Sequence, residues 1–376
     1  MPPKASSALG DDFPKEVYMK VKAMIVLLTL IVLVTGCSAD EEINENNKKR
    51  ENSVEFNTQS ATVENESEYF KLYGLPVKFG NKLDENDFSW GDEKYTKNEE
   101  SVDEVSWEGN KGSYIYTEPG YLYYTAKEYS DNYDSLLWGK NGDFREDFDE
   151  VTKGVTVIEG MTKQQAEDKV NSIVNKYGMK AGNVKSYPLN KNILKRLSRD
   201  YMSDEEYEEY LKDKSNEPMK RDFSTDDEVF LVEMSPMVGQ YSLNNSDYDY
   251  GKMAYSGAII WALVNKDKII AFYADGIYEI TSSGEKIDNI ITREEAKSKL
   301  EEKYKDLILS DDVECKKVDI AYIAINGKDE GTCEFIPAYI FELQYPIKTD
   351  KQDQKDSIVY VTQKLLLDAE NGKWIE

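Results

Sequence analysis

The sequence predicts an α+β fold, in which a β-rich N-terminal region is followed by two repeated units, each a helix packed on a small antiparallel sheet. Three observations lead to this prediction. Tyrosine-rich runs surround a Pro-Gly pair in the first part of the chain, two similar helical segments lie further along, and apolar strand-like runs follow each segment. A helix with several antiparallel strands forms an α+β unit, because its amphipathic side covers one face of the sheet.

The β-rich N-terminal region spans residues 67–155, and its clearest element is SYIYTEPGYLYYTAK, which starts at Ser113. The Pro-Gly pair suits positions i+1 and i+2 of a type II turn, so the runs on either side predict a hairpin. Because strand side chains alternate, two tyrosines of each run share a face. They form either a platform for a sugar or peptide, or a half-buried sheet face, since tyrosine favours strands. These residues are Tyr114 and Tyr116, and Tyr121 and Tyr123.

Two segments share a pattern typical of a helix start: MTKQQAEDKVNSIVNKYG from Met161 and ITREEAKSKLEEKYKDLI from Ile291. Each has threonine in second position and glutamine or glutamate three residues later. This is the capping-box pattern, so Thr162 and Thr292 are predicted to begin helices. Apolar residues then recur at helical spacing in both segments. Gly178 can end the first helix.

Apolar strand-like runs and an Asp-Gly turn follow each helix and set the boundaries of the two units. Unit 1 covers residues 156–288 and carries an insertion at about residues 191–227. Within the insertion, SDEEYEEYLKD from Ser203 predicts a further capped helix. Unit 2 covers residues 289–376.

The T-x-x-[EQ]-A helix start, the PAYIF strand from Pro337 and the DAENG turn from Asp368 resemble PepSY-type domains and the YycH and YycI regulators. Unit 2 carries the fuller resemblance, whereas unit 1 matches in its helix and final turn. The resemblance implies a regulatory or protease-inhibitory module that acts outside the membrane by contact with proteins. It implies no catalytic residue, because none is characteristic of the fold.

An apolar run from Ala23 to Val34 follows a short basic stretch that starts at Met19. A membrane-spanning helix needs about 20 apolar residues, and this run is shorter. It suits the apolar region of a secretory signal, so residues 19–36 are predicted to be a signal peptide. Residues 1–18 contain acidic residues that fit no signal, and they are either a spurious extension or a real one.

The stretch VTGC, which ends at Cys37, resembles the lipobox of bacterial lipoproteins. The resemblance implies cleavage between Gly36 and Cys37, a lipid on the Cys37 thiol, and a place on the extracytoplasmic face of the cell membrane. The resemblance to YycH and YycI implies a Gram-positive bacterium. The alternatives are a plain secreted protein with a chance cysteine and a membrane-spanning helix. Residues 37–66 are polar and charged, which predicts a disordered acidic tether.

Cys315 and Cys333 remain once Cys37 is lipidated. An even pair in an extracytoplasmic protein suggests a disulfide. In a simple hairpin, however, Cys333 would lie near the turn and Cys315 well down the other strand. That arrangement exceeds the Cα separation of about 5.5–6 Å that a disulfide needs, so both outcomes stay open.

The composition excludes several classes of function. A net charge of −26 repels nucleic acid, so no nucleic-acid partner is expected. The chain has no histidine, which excludes Ser-His-Asp and Cys-His catalysis and histidine-containing zinc sites. Asn245, Asp247 and Asp249 are spaced like the start of a calcium loop, but the glycine and glutamate of an EF-hand do not follow. We expect no catalytic residue, metal or other cofactor.

These features together predict a non-catalytic, lipid-anchored binding or regulatory protein. Its partners would be the membrane, through the lipid, and a protein of the cell envelope. The alternative is a cell-wall glycan-binding protein or a glycan hydrolase, with the tyrosine-rich region gripping the sugar. Such a hydrolase holds two carboxylates about 5–5.5 Å apart if it retains configuration and about 6.5–9.5 Å apart if it inverts it. A solute-binding protein would need two lobes of alternating strands and helices, a pattern that the sequence lacks.

Overall fold

The computed structural model describes residues 54–56, 68–80, 82–83, 93–99, 101, 103–138, 144–145, 147–213, 219–244, 258–305, 313–329, 331–349 and 357–375. These residues belong to one compact unit, Asn52–Glu376. The fold is α+β, with two largely antiparallel sheets and helices packed on them. The predicted signal peptide, Cys37 and the calcium-like stretch lie outside the described residues.

The larger sheet has nine strands in the described part of the chain. They are β3 (Tyr95–Glu99), β4 (Val105–Gly109), β5 (Tyr114–Glu118), β6 (Tyr121–Thr125), β7 (Ala181–Leu189), β8 (Val229–Val238), β9 (Tyr241–Ser242), β10 (Ile259–Val264) and β11 (Ile269–Asp275). Their order is β3-β4-β5-β6-β11-β10-β8-β7, and β9 pairs with β8. The predicted hairpin is confirmed as β5 and β6, and Gly120 has the φ of 80° that a type II turn requires at i+2.

One face of the larger sheet is covered by helix α4 (Lys163–Lys176), which buries three apolar side chains at helical spacing: Ala166, Val170 and Val174. The predicted capping box is present. The Thr162 side chain accepts from the Gln165 N–H at 3.3 Å, and the Gln165 side chain accepts from the Thr162 N–H at 2.9 Å. Gly178 (φ 71°) and the Met179 N–H, which donates to the Val174 carbonyl at 2.9 Å, end the helix as predicted.

Part of the opposite face of the larger sheet is covered by short helices. They are α1 (Lys127–Asn132), α2 (Asp134–Trp138), α3 (Phe148–Val151) and α5 (Lys191–Tyr201). Their aromatic side chains contact the sheet: the ring centroid of Tyr129 in α1 is 6.0 Å from that of Trp261, and the ring centroid of Phe148 in α3 is 5.6 Å from that of Tyr187. Helix α6 (Asp204–Tyr210) follows α5 and contains no buried residue. The helix predicted from Ser203 is confirmed as α6, which has a capping box with Glu206.

The smaller sheet has seven strands among the described residues. They are β1 (Val54–Phe56), β2 (Phe70–Pro76), β12 (Tyr278–Lys286), β13 (Val313–Asn326), β14 (Cys333–Thr349), β15 (Ser357–Asp368) and β16 (Trp374–Ile375). The order is β1-β13-β14-β15-β16, and β2 pairs with both β12 and β14.

Helix α7 (Arg293–Lys305) packs on the smaller sheet, where Ala296 and Leu300 join the buried side chains of β13, β14 and β15. Its predicted capping box is also present. The Thr292 N–H donates to the Glu295 carboxylate at 2.7 Å, and the Glu295 N–H donates to the Thr292 hydroxyl at 3.2 Å. Each sheet therefore carries a helix that begins at a threonine cap.

The strands do not follow the boundaries predicted from the sequence. β6 pairs with β11, so one sheet crosses the predicted boundary after residue 155. β2, from the predicted N-terminal region, and β12, from predicted unit 1, both lie in the smaller sheet. Residues 54–56, within the predicted tether, form β1, which pairs in parallel with β13. Local patterns indicate strands, but they do not specify partners that are distant in sequence.

The two sheets meet at a ring of three backbone hydrogen bonds. The Val77 N–H donates to the Ile277 carbonyl at 2.9 Å, the Ile277 N–H to the Gly120 carbonyl at 3.1 Å, and the Gly120 N–H to the Val77 carbonyl at 2.8 Å. The turn of the β5–β6 hairpin is therefore fixed to both the β2–β3 and the β11–β12 connections.

Candidate functional site

Five tyrosine side chains lie together on one side of the larger sheet and form a tyrosine face: Tyr114, Tyr116, Tyr121, Tyr123 and Tyr273. The register pairs Tyr116 with Tyr123 across the hairpin, and Tyr123 with Tyr273 on β11. The prediction that the hairpin tyrosines share faces is confirmed, because all four lie on the same side. Tyr273 joins them through the pairing of β6 with β11, which local sequence patterns do not predict.

The rings of the tyrosine face contact one another edge to face. The centroid of Tyr121 is 5.8 Å from that of Tyr116 and 5.3 Å from that of Tyr273. The centroid of Tyr123 lies 6.4 Å from that of Tyr114. Such arrangements suit the ring quadrupole and fix the orientation of each ring.

The tyrosine face continues into the core on one side and keeps contact with solvent on the other. Tyr273 stacks on the buried Trp261, with ring centroids 5.6 Å apart and planes inclined by 7°. All five tyrosines are nevertheless partly exposed. The face is therefore a rigid, half-buried aromatic surface.

Carboxylates surround the tyrosine face. The Tyr116 hydroxyl donates to Glu104 at 2.8 Å and to Glu118 at 3.2 Å. The Tyr273 hydroxyl donates to Asp275 at 3.3 Å. The Cα of Glu108 pairs with that of Tyr114 across β4 and β5, so its side chain belongs to the same side of the sheet. Glu118 follows Tyr116 by two residues on the same strand, whereas only strand register brings Glu104, Glu108 and Asp275 to the hairpin tyrosines.

The phenols of Tyr116, Tyr121 and Tyr123 stay protonated at neutral pH, because the pKa of each is raised above its ordinary value. Burial raises the pKa of Tyr123 to about 12. Burial also raises the pKa of Tyr121. The pKa of Tyr116 is raised by burial and by its hydrogen bond to Glu104. These groups therefore offer neutral hydroxyls and ring faces, and the negative charge comes from the carboxylates beside them.

The described residues do not contain a group of three or more cysteine and carboxylate side chains that could hold a metal ion. Among the same residues, no helix combines the length and hydropathy that crossing a membrane requires. The tyrosine face is the candidate site that the strand register brings together.

The Cys315–Cys333 disulfide, which the sequence left open, is not formed, and both cysteines are free and buried. β13 and β14 form a simple hairpin in which Cys333 pairs with Asn326 near the turn, whereas Cys315 pairs with Leu343. At about 3.3 Å per strand residue, the two cysteines lie roughly 35 Å apart along the hairpin. Burial raises the pKa of each thiol to about 11.

We expect both buried thiols to be inert in the folded protein, because the reactive thiolate is scarce and shielded. Ellman's reagent should label neither Cys315 nor Cys333 under native conditions and should label both in urea without a reductant. Labelling in urea that appears only after reduction would show a disulfide and contradict the structure.

No protein-family model and no curated protein matches the chain. Among solved structures, the chain is similar to an uncharacterized protein from Eubacterium rectale, with a TM-score of 0.59 and 13% sequence identity. The similarity covers 82% of this chain and 86% of the other. At this identity the likeness concerns the fold alone.

Proposed function

We propose that this chain is a lipid-anchored, extracytoplasmic binding protein that contacts another protein of the cell envelope and catalyses no reaction. The observation that carries the proposal is the tyrosine face. Tyrosines that are held rigid and partly exposed provide contact area at low entropic cost, and they are enriched in protein interfaces. The hydrogen bonds that fix the hairpin turn at Gly120 add to this rigidity.

We also propose that the two halves of the fold are PepSY-like repeats. Helix α4 is followed in the larger sheet by the consecutive neighbours β7, β8, β10 and β11, and helix α7 is followed in the smaller sheet by β13, β14, β15 and β16. The matching capping boxes at Thr162 and Thr292 support this proposal.

The anchor is proposed to be a lipid on Cys37. Cells that express the protein should incorporate labelled palmitate into it, and Cys37→Ala should abolish the labelling, because the thiol is the attachment site. Cys315→Ala, in which the lipobox is untouched, is the matched control and should keep the label. Labelling retained in Cys37→Ala would overturn the lipid anchor.

Capture of partners from cross-linked membranes tests the binding function. The wild-type protein should retain a specific envelope protein, and Tyr116→Leu should retain much less of it, since this change removes a ring from the tyrosine face. Tyr73→Leu removes an exposed tyrosine from β2 in the smaller sheet and serves as the control. Equal capture by both variants would exclude the tyrosine face as the contact surface.

A cell-wall glycan is the second candidate ligand, and one observation favours it. Glu104 and Glu118 both accept from the Tyr116 hydroxyl, so the two bonded carboxylate oxygens lie no more than about 6 Å apart, which is compatible with the separation of about 5–5.5 Å in a retaining glycan hydrolase. Release of reducing ends from purified cell wall by the wild-type protein, lost in Glu104→Gln, would favour this alternative over the binding function.

A further inference from the structure

We infer that the tyrosine face binds an extended protein segment that carries lysine or arginine side chains. This inference deepens the proposed binding function and rests on it. The ligand is a cationic segment of the partner protein, on the basis of charge complementarity and of the spacing of the tyrosine rings.

The charged side chains beside the tyrosine face are of one sign. They are four carboxylates: Glu104, Glu108, Glu118 and Asp275. Further along this side of the sheet, on β7 and β8, Lys185 pairs with Glu233. Within the described strands β4, β5, β6 and β11, the positions on the same side include no lysine or arginine. The surface therefore attracts cations and repels anionic lipid head groups and nucleic acid.

The rings contribute to the same preference. The face of a tyrosine ring has a negative electrostatic potential, and it attracts an ammonium or guanidinium group placed above it. Because the phenols of Tyr116, Tyr121 and Tyr123 are protonated at neutral pH, these tyrosines keep hydroxyl groups that can bond neighbouring peptide groups. A lysine or arginine side chain can lay its apolar stem on a ring and direct its charge to a carboxylate at the margin.

The spacing of the rings suits an extended segment. Tyr114 and Tyr116 stand two residues apart on β5, and Tyr121 and Tyr123 stand two residues apart on β6. Residues at this interval lie about 6.6–7 Å apart along a strand, which is the distance between alternate side chains of an extended peptide. Basic residues at alternate positions of a partner segment would thus meet successive rings.

The test is a titration of the full-length protein with a short synthetic peptide that alternates lysine and glycine. The control peptide has every lysine acetylated, which removes the charge and keeps the stem. Calorimetry near physiological salt should show saturable binding of the first peptide and none of the second. Failure of the lysine peptide to bind, or equal binding of both peptides, overturns the inference.

Matched variants distinguish binding at the tyrosine face from nonspecific attraction to the negative net charge of the chain. Glu104→Gln/Glu118→Gln should raise the Kd for the lysine peptide at least about tenfold, because two charges beside the rings are lost. Glu205→Gln/Glu208→Gln removes two exposed charges from α6, and it should change Kd by less than about twofold. An equal effect of the two variants would mean attraction by net charge alone and would overturn the inference.

The role of the rings has its own comparison. Tyr116→Leu should weaken binding of the lysine peptide by about fivefold or more, and Tyr73→Leu should leave it unchanged. A neutral chito-oligosaccharide that binds in place of the peptide, with the same dependence on Tyr116, also overturns the inference. If partner capture depends on Tyr116 but not on the two glutamates, the inference of a cationic segment is wrong and the proposed binding function stands.

Discussion

Phe341→Ala should lower the free energy of unfolding by about 3–5 kcal/mol, the usual cost of removing a buried phenylalanine from a core. Phe341 has no exposed surface, and its ring centroid lies 5.8 Å from that of Trp374. It belongs to the cluster in which Ala296 and Leu300 of α7 meet β13, β14 and β15. The cavity left by alanine would therefore loosen the contact between helix α7 and its sheet.

Urea unfolding measures the effect as a shift of the midpoint at an unchanged slope. Gln363→Ala on β15 is the control, because this side chain is exposed and its loss should cost less than about 0.5 kcal/mol. A Phe341→Ala midpoint equal to that of the control would contradict the packing of α7 on the smaller sheet.

Gly74→Ala should destabilise the protein by about 2–3 kcal/mol because β2 is wedged between β12 and β14. Gly74 pairs with Ile280 on one side and with Cys333 on the other. A Cβ atom at this position would lie 2.5 Å from the Glu279 carbonyl oxygen and 2.9 Å from the ring of Phe335. The backbone oxygen cannot turn aside as a side chain can, so the strands must separate.

Replacing glycine by alanine also reduces the entropy of the unfolded chain, which offsets about 0.4–1 kcal/mol of this loss. Ser282→Ala on β12, an exposed position opposite Tyr73, is the control and should change stability little. A Gly74→Ala protein as stable as the wild type would show that β2 does not occupy the middle position that the structure assigns to it.

The sequence predicted those parts of the fold that depend on residues close together in the chain. The caps at Thr162, Thr292 and Ser203 need partners only three residues away, and all three are present. The Pro-Gly turn and the alternation of the hairpin are local as well. These patterns involve residues only a few positions apart, so they predicted individual helices and turns correctly.

The sequence could not predict which strands become neighbours. β6 joins β11 and β2 joins β14 across long stretches of intervening chain. Many apolar strands have a residue pattern that would allow them to pair with the same sheet edge. Which of them pairs there depends on how the whole core packs. The predicted boundary after residue 155 was placed at a change in local pattern, whereas the sheet continues across it.

In the candidate site, too, residues that are close in sequence could be predicted and residues that are distant in sequence could not. The tyrosines of the hairpin could be found from alternation, because they lie on two adjacent strands. Tyr273 and its partner Asp275 come from β11, and Glu104 comes from the residue before β4, so only the register brings them together. The hairpin geometry that argued against a Cys315–Cys333 bridge was, by contrast, visible in the sequence, since β13 and β14 are consecutive.

The tyrosine face is proposed to be the binding surface of an anchored protein. The most direct test of this proposal replaces Tyr116 by the photo-crosslinker p-benzoyl-phenylalanine in the anchored protein in cells, with the same replacement at Tyr73 as the control. We predict a discrete cross-linked species with one envelope protein from position 116, which excess lysine peptide suppresses, and none from position 73. Equal cross-linking from both positions, or none from position 116, would contradict the account.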